Sequence, residues 1–275
     1  MFCDYHVHSA FSDDSVYPIE DVIKDAISLG VDELCFTEHV DYGIKVDHGE
    51  IPIVKREGST MLNVDYDAYI KTLDALKDRY KDQITIKKGL EFGVQSHTVD
   101  RYDELLKSLP LDFVLLSIHQ VNDIECHTDE FKAGKDQLSY NMTYFMEMYE
   151  VVKMYKGYSV LAHMDLIRRF DKGHELAFEK VEDIVADILK VVIEDGKGIE
   201  LNTSWHRYGL DGPTPSLGIL KLYRDLGGRI ITLGSDSHRP SQLTKDIKED
   251  MELLKSLGYK EFCTFDKLVP IFHKL

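Results

Sequence analysis

Cysteine is scarce: Cys3, Cys35, Cys126 and Cys263 are the 4 in 275 residues. They show no C-x-x-C pair and no zinc-ribbon spacing, so neither a thiolate metal site nor a disulfide framework is indicated. Cys3 and Cys35 lie inside strand-like segments and read as small apolar core residues of a reduced protein. No run of roughly 18 apolar residues is present, which argues against a membrane-spanning helix. Asp4 stands at the very start, and neither a basic segment nor an apolar leader precedes it. The expected location is the cytoplasm. Positive charge is in deficit, with Lys+Arg 33 against Asp+Glu 49 and a formal net charge of -16. That balance argues against non-specific binding to nucleic acid or to an anionic membrane. Linkers, repeats and low-complexity segments are also missing. The length suits one α/β domain over 1–275.

What is present is alternation. Phe2 to His8, Glu33 to Thr37, Ile84 to Leu90, Phe113 to Ile118, Tyr158 to Ala162, Gly198 to Asn202 and Arg229 to Leu233 read as strands. Helical spacing fills the gaps. One helix opens at Pro18 and closes at Gly30, and others are predicted over Tyr66–Tyr80, Asp100–Leu109, Tyr140–Tyr155, Phe178–Ile193, Ser216–Leu226 and Leu243–Leu257. A short strand around Phe262–Phe265 follows the last helix. Strands alternating with helices imply right-handed crossovers and a parallel sheet. Val40–Asn63 has no clear period and reads as a rim or lid. Met142, Phe145, Met146 and Tyr149 read as core positions of their helix.

The strand ends carry the chemistry. His6 and His8 are two apart, so a strand points both imidazoles from one face. Later strand ends deliver Glu38-His39, Glu91, His119, His163, and Asp236 with His238. The candidate ligands are His6, His8, Asp14, His39, Glu91, His119, His163, Asp236 and His238, with Asp13 competing with Asp14. As structural residues, each would need its own buried hydrogen-bond partner. Imidazole and carboxylate without thiolate suit zinc, manganese or iron, and this many ligands suit two or three ions sharing a carboxylate. Only a closed ring of strands brings so many ends to one mouth. His48, His97, His127, His174 and His273 read as surface or loop residues.

Seven segments, taken in order, resemble the polymerase and histidinol phosphatase (PHP) family, and within it the stand-alone histidinol-phosphate phosphatases. They are Asp4–Ser9, Cys35–His39, Lys88–Glu91, Ser117–His119, Ala162–Asp165, Glu200–Thr203 and Thr232–His238. The resemblance implies a distorted seven-stranded (β/α) barrel with a trinuclear metal site at the C-terminal mouth of the strands. His6, His8, Glu91 and Asp236 would hold the first ion. Asp14, His39 and His238 would hold the second, and Glu91, His119 and His163 the third. Such a cluster activates water and neutralises phosphoryl oxygens. Arg169 matches the family's phosphate-binding arginine. Ser204 stands where the family often has a second arginine, and Arg207 is the candidate to replace it. Asp165, His206 and a coordinated water all stay open as the general acid, and Trp205 as a ring-stacking or packing residue.

The implied activity is hydrolysis of L-histidinol phosphate to L-histidinol and phosphate, in histidine biosynthesis. The same metals would also serve a phosphotyrosine or other small phosphoester hydrolase, or a 3′-to-5′ exonuclease. A catalytically silent metal-binding module is a third reading, although no ligand looks lost. The expected partner is a small phosphate ester, with neither nucleic acid nor membrane involved.

Overall fold

The computed structural model describes residues 1–50, 55–56, 59–171 and 173–275. Seven parallel strands run in chain order around a nearly closed barrel. They are β1 (Cys3–Val7), β2 (Glu33–Val40), β3 (Thr85–Gly93), β4 (Phe113–Ser117), β5 (Val160–Leu161), β6 (Gly198–Asn202) and β7 (Ile231–Gly234). β7 returns beside β1. The seam is closed by the His8 amide donating to the Ser237 carbonyl at 2.8 Å and the Ser237 amide to the His6 carbonyl at 3.3 Å.

Helices cover the outside, and their sequences account for their limits. In the helix Ile19–Ser28, Glu20 and Asp21 complement the positive end of the dipole. Gly30, at φ 77°, supplies the left-handed residue that stops it. The helix Tyr66–Tyr80 is capped by Asp65, whose side chain accepts from the Ala68 amide at 3.0 Å. It buries Tyr69, Leu73 and Leu76, which share one face.

Several boundaries differ from the sequence expectation for local reasons. β5 keeps ladder pairing only at Val160–Leu161, because His163 takes a left-handed turn at φ 25° directly afterwards. The last helix spans Ile247–Ser256 rather than Leu243–Leu257. Thr244 and Asp246 have φ of 57° and 63°, and the Thr244 amide is bound by Asp4 Oδ2 at 3.0 Å. Phe178–Lys180 is a separate 3-10 turn ahead of the helix Glu182–Glu194. In the helix Gln137–Met154, Met146 is exposed, whereas Tyr144, Phe145 and Met148 pack inward.

Beyond the barrel, β8 (Glu261–Asp266) pairs antiparallel with β9 (Val269–Lys274), a strand the sequence reading leaves out. This hairpin closes the floor, at the starts of the barrel strands. Rings of Tyr5 and Phe265 each lie 5.0 Å from Phe113. The rim expected over Val40–Asn63 lies partly outside the described residues, at 51–54 and 57–58. All four cysteines are free and buried. Among the described residues, no helix is long and apolar enough to cross a membrane.

Candidate metal centre

The nine candidate ligands converge at the carboxyl ends of the strands, and Glu91 is their hub. Its Oε2 lies 3.2 Å from His6 Nε2, 3.4 Å from His8 Nε2 and 3.0 Å from His39 Nδ1. Its Oε1 lies 3.1 Å from His119 Nε2 and 2.9 Å from His163 Nε2. Asp236 Oδ1 stands 3.7 Å from His6 Nε2, 3.8 Å from His8 Nε2 and 3.7 Å from His238 Nδ1. Asp14 Oδ2 stands 3.4 Å from His39 Nε2 and 3.1 Å from His238 Nε2. The His8 ring lies against those of His39 and His238, each at 4.2 Å, and those two are 5.7 Å apart. Asp13 instead pairs with Lys45, at 2.7 Å. Geometry therefore favours Asp14 over Asp13.

Hydrogen bonding alone does not satisfy this cluster. Five imidazoles face one carboxylate, and buried His8 Nε2, His39 Nδ1 and His163 Nδ1 have no hydrogen-bond partner. Unpaired buried nitrogens of this kind are costly, and cations beside Glu91 would remove the cost for His8 Nε2 and His39 Nδ1, although not for His163 Nδ1 on the far side of its ring. The donor set is nitrogen and oxygen throughout, which fits the divalent ions named above.

Electrostatics separates the imidazoles into two classes. Burial pushes His6 and His39 down, but the carboxylates outweigh it and hold both well above the ordinary value. Glu200, Glu91 and Asp236 act on His6, and Asp14 and Glu91 on His39. His119 rises to about 9 in the same way, against burial, through Glu91 and Asp41. His8 is lowered by burial and by His39 and His238, and His163 is lowered chiefly by burial. Glu91 and Asp236 stay well below the usual carboxylate range despite burial, held by His6 and, respectively, His119 and Arg169.

Outer carboxylates orient the ring nitrogens that face away from the mouth. Glu200 Oε1 lies 2.6 Å from His6 Nδ1, and Asp41 Oδ1 lies 2.7 Å from His119 Nδ1. Asp41 Oδ2 is held in turn by Lys45 Nζ at 3.0 Å. Such partners fix the tautomer and raise the basicity of a ligating imidazole. The sequence reading missed both roles, although Glu200 sits in a matching segment and Asp41 lies two residues beyond His39. Glu38 is not at the mouth. It accepts from Ser9 and Ser12, and burial raises it to about 7 although those hydrogen bonds lower it.

Asp236 itself has φ 55°, and with His163 it occupies a backbone region that non-glycine residues rarely adopt. Arg169 lies against it, with Nη2 donating to Asp236 Oδ2 at 3.0 Å and to Ser204 Oγ at 2.6 Å. Its buried Nε has no partner, and Tyr208 stacks beneath the guanidinium at 4.5 Å. The cavity outside the cluster is about 340 Å³ and includes Lys45, Glu125, His127, Arg169, Phe170 and Tyr208 in its lining.

Three expectations need correction. Arg207 does not line the cavity as a second grip, because its guanidinium donates to the Ser235 and Asp236 carbonyls and lies 3.7 Å from Asp236 Oδ2. Asp165 is engaged elsewhere, accepting from Arg168 Nη1 at 3.2 Å and the Ser216 amide at 2.8 Å beside a separate small cavity. His206 stacks on Trp205 and pairs with Asp250 at 3.2 Å, and neither ring lines the mouth. His127, an exposed turn residue as expected of a surface or loop histidine, also lines it.

The PHP domain model matches residues 4–204. The chain belongs to the PHP family. Histidinol-phosphatase from Lactococcus lactis is 30% identical over 269 residues, covering 95% of this chain and 93% of that one. Probable histidinol-phosphatase from Thermotoga maritima is 28% identical, covering 98% of each. Among solved PHP structures, L. lactis histidinol phosphate phosphatase complexed with zinc, L-histidinol and phosphate superposes with a TM-score of 0.85. It is 28% identical, with 98% of both chains covered.

Proposed function

We propose that this PHP chain, acting as one domain over 1–275 in the cytoplasm, hydrolyses L-histidinol phosphate to L-histidinol and phosphate in histidine biosynthesis. The observation that carries the reading is the convergence of imidazoles on Glu91 beside the unpartnered Nε of Arg169.

His6, His8, Glu91 and Asp236 would hold one ion, Asp14, His39 and His238 a second, and Glu91, His119 and His163 a third. The ions are zinc, manganese or iron. When bound, they activate water and neutralise phosphoryl oxygens. The protein's own part is positioning. Arg169 meets the phosphate through the donors left free, the unpartnered Nε among them, while Asp236 and Ser204 fix its Nη2. Ser204 thus serves Arg169 where relatives often carry another arginine. Arg207 stiffens the turn that presents Asp236, holding its ligand geometry through two carbonyls. Phe170, Tyr208 and Leu166 offer a wall for the imidazole, and Glu125 on the same rim has the charge sign to meet the ammonium.

Phosphate release from L-histidinol phosphate, measured beside phosphotyrosine, sugar and nucleotide esters and single-stranded DNA, tests this. Preference for histidinol phosphate is expected. Equal or faster turnover of another ester overturns the substrate and leaves the phosphatase, and degradation of DNA at low salt points to an exonuclease.

A further inference from the structure

Two glycines lie beside the ligands: Gly93, two residues after Glu91, and Gly234, two residues before Asp236. Neither has a positive φ, so backbone conformation does not call for glycine at either place. Space does. A Cβ at Gly93 would sit 2.0 Å from Asp41 Oδ1 and 3.0 Å from His119 Nδ1. A Cβ at Gly234 would sit 2.3 Å from Glu200 Oε1 and 2.3 Å from His6 Cβ. These oxygens are the same ones that hold His119 Nδ1 and His6 Nδ1.

The order of strands explains the coincidence. Asp41 follows β2 and His119 follows β4, with Gly93 ending β3 between them. Glu200 lies on β6 and His6 on β1, with Gly234 ending β7 between them. In both cases a carboxylate reaches across an intervening strand to an imidazole two strands away. The crossing point is a residue without a side chain.

We infer that Gly93 and Gly234 are positioning residues of the metal centre, kept bare so that Asp41 and Glu200 can fix His119 and His6. This rests on reading the mouth as a metal site. A methyl group at either position would expel the carboxylate oxygen and release the imidazole it orients. Loss of such an outer partner weakens metal binding by about 10–100-fold.

The test is a double-mutant cycle in zinc affinity, measured by competition with a chelator on the purified full chain. Gly93→Ala and Asp41→Ala should each weaken zinc binding at one site by that factor. The double variant should bind no more weakly than Asp41→Ala alone, because the new methyl occupies space the carboxylate has left. Additive losses, or a Gly93→Ala protein with parental affinity, overturn the inference. If Gly93→Ala does not fold, the double variant decides: a folded protein with the affinity of Asp41→Ala supports it, and a second failure to fold overturns it. Across the other strand Glu200→Ala alone should weaken zinc binding by the same factor, whereas Gly234→Ala should not be relieved by it, because its methyl also meets His6 Cβ at 2.3 Å. A parent chain that takes up no zinc would overturn the metal reading itself, a separate outcome.

Discussion

The two ends of the barrel treat buried polar groups in opposite ways. Where the hairpin closes the floor, the polar groups are matched within the protein. The Tyr5 hydroxyl donates to Glu33 and accepts from the Phe265 amide at 2.8 Å. Asp112 accepts from the Lys88 amide at 3.0 Å and the Lys267 amide at 3.3 Å. Lys87 pairs with Asp266 at 2.7 Å. At the mouth, five imidazoles share one glutamate and three buried ring nitrogens have no hydrogen-bond partner. The hairpin end is held together by the polypeptide's own pairs, and the mouth concentrates ring nitrogens on one carboxylate in a way that suits something added. That difference tells a structural polar cluster from a binding one more reliably than residue type does.

The sharpest break in the comparison comes from Glu91→Gln. It removes the shared charge, and kcat/KM should fall by at least roughly 10³-fold as zinc content drops. Elemental analysis beside phosphate release checks both, and a variant with full metal and full turnover would remove Glu91 from the centre. Arg169→Lys keeps the charge but loses the fork, so kcat/KM for the phosphate ester should fall about 10²-fold at unchanged zinc content. Steady-state kinetics at saturating zinc read this out.

Proton release gives a smaller signal. In the metal-free protein His119 titrates at about 9, above its ordinary 6.5, so its proton contributes stability below 6.5 that is lost as pH rises through 9. Zinc needs the neutral ring. Loading at pH 7 should therefore expel protons, fewer as pH approaches 9, seen as a buffer-dependent heat in calorimetry. Tyr5→Phe is the control from the other end. It should cost about 1–2 kcal/mol of stability by thermal unfolding, with zinc content and kcat/KM unchanged.

Much of this was legible from residue pattern. The seven barrel strands and the convergence of the candidate ligands follow from side-chain alternation and from histidines placed where strands end. The resemblance to PHP sequences added the proposed grouping of the ligands and the proposed role of Arg169. What could not be read was contact between residues far apart in sequence. Arg207 looked like a cavity cation because charge and proximity are visible in sequence, whereas the carbonyls it binds are not. Asp165 and His206 were candidates by neighbourhood alone, and Arg168 and Asp250 claim them. The last helix was predicted too long because its apolar period continues through Thr244 and Asp246, whose backbone is held open by Asp4 and Thr203. Glu200 and Asp41 were missed because an orienting carboxylate leaves no spacing signature.

The seam between β1 and β7 has a consequence for biogenesis. His6 and His8 leave the ribosome well before Asp236 and His238. They meet only when Ser237 docks against His6 and His8. On the proposed grouping of ligands, the cage of His6, His8, Glu91 and Asp236 is complete only after the ring has shut, so metal uptake would double as a report of barrel closure.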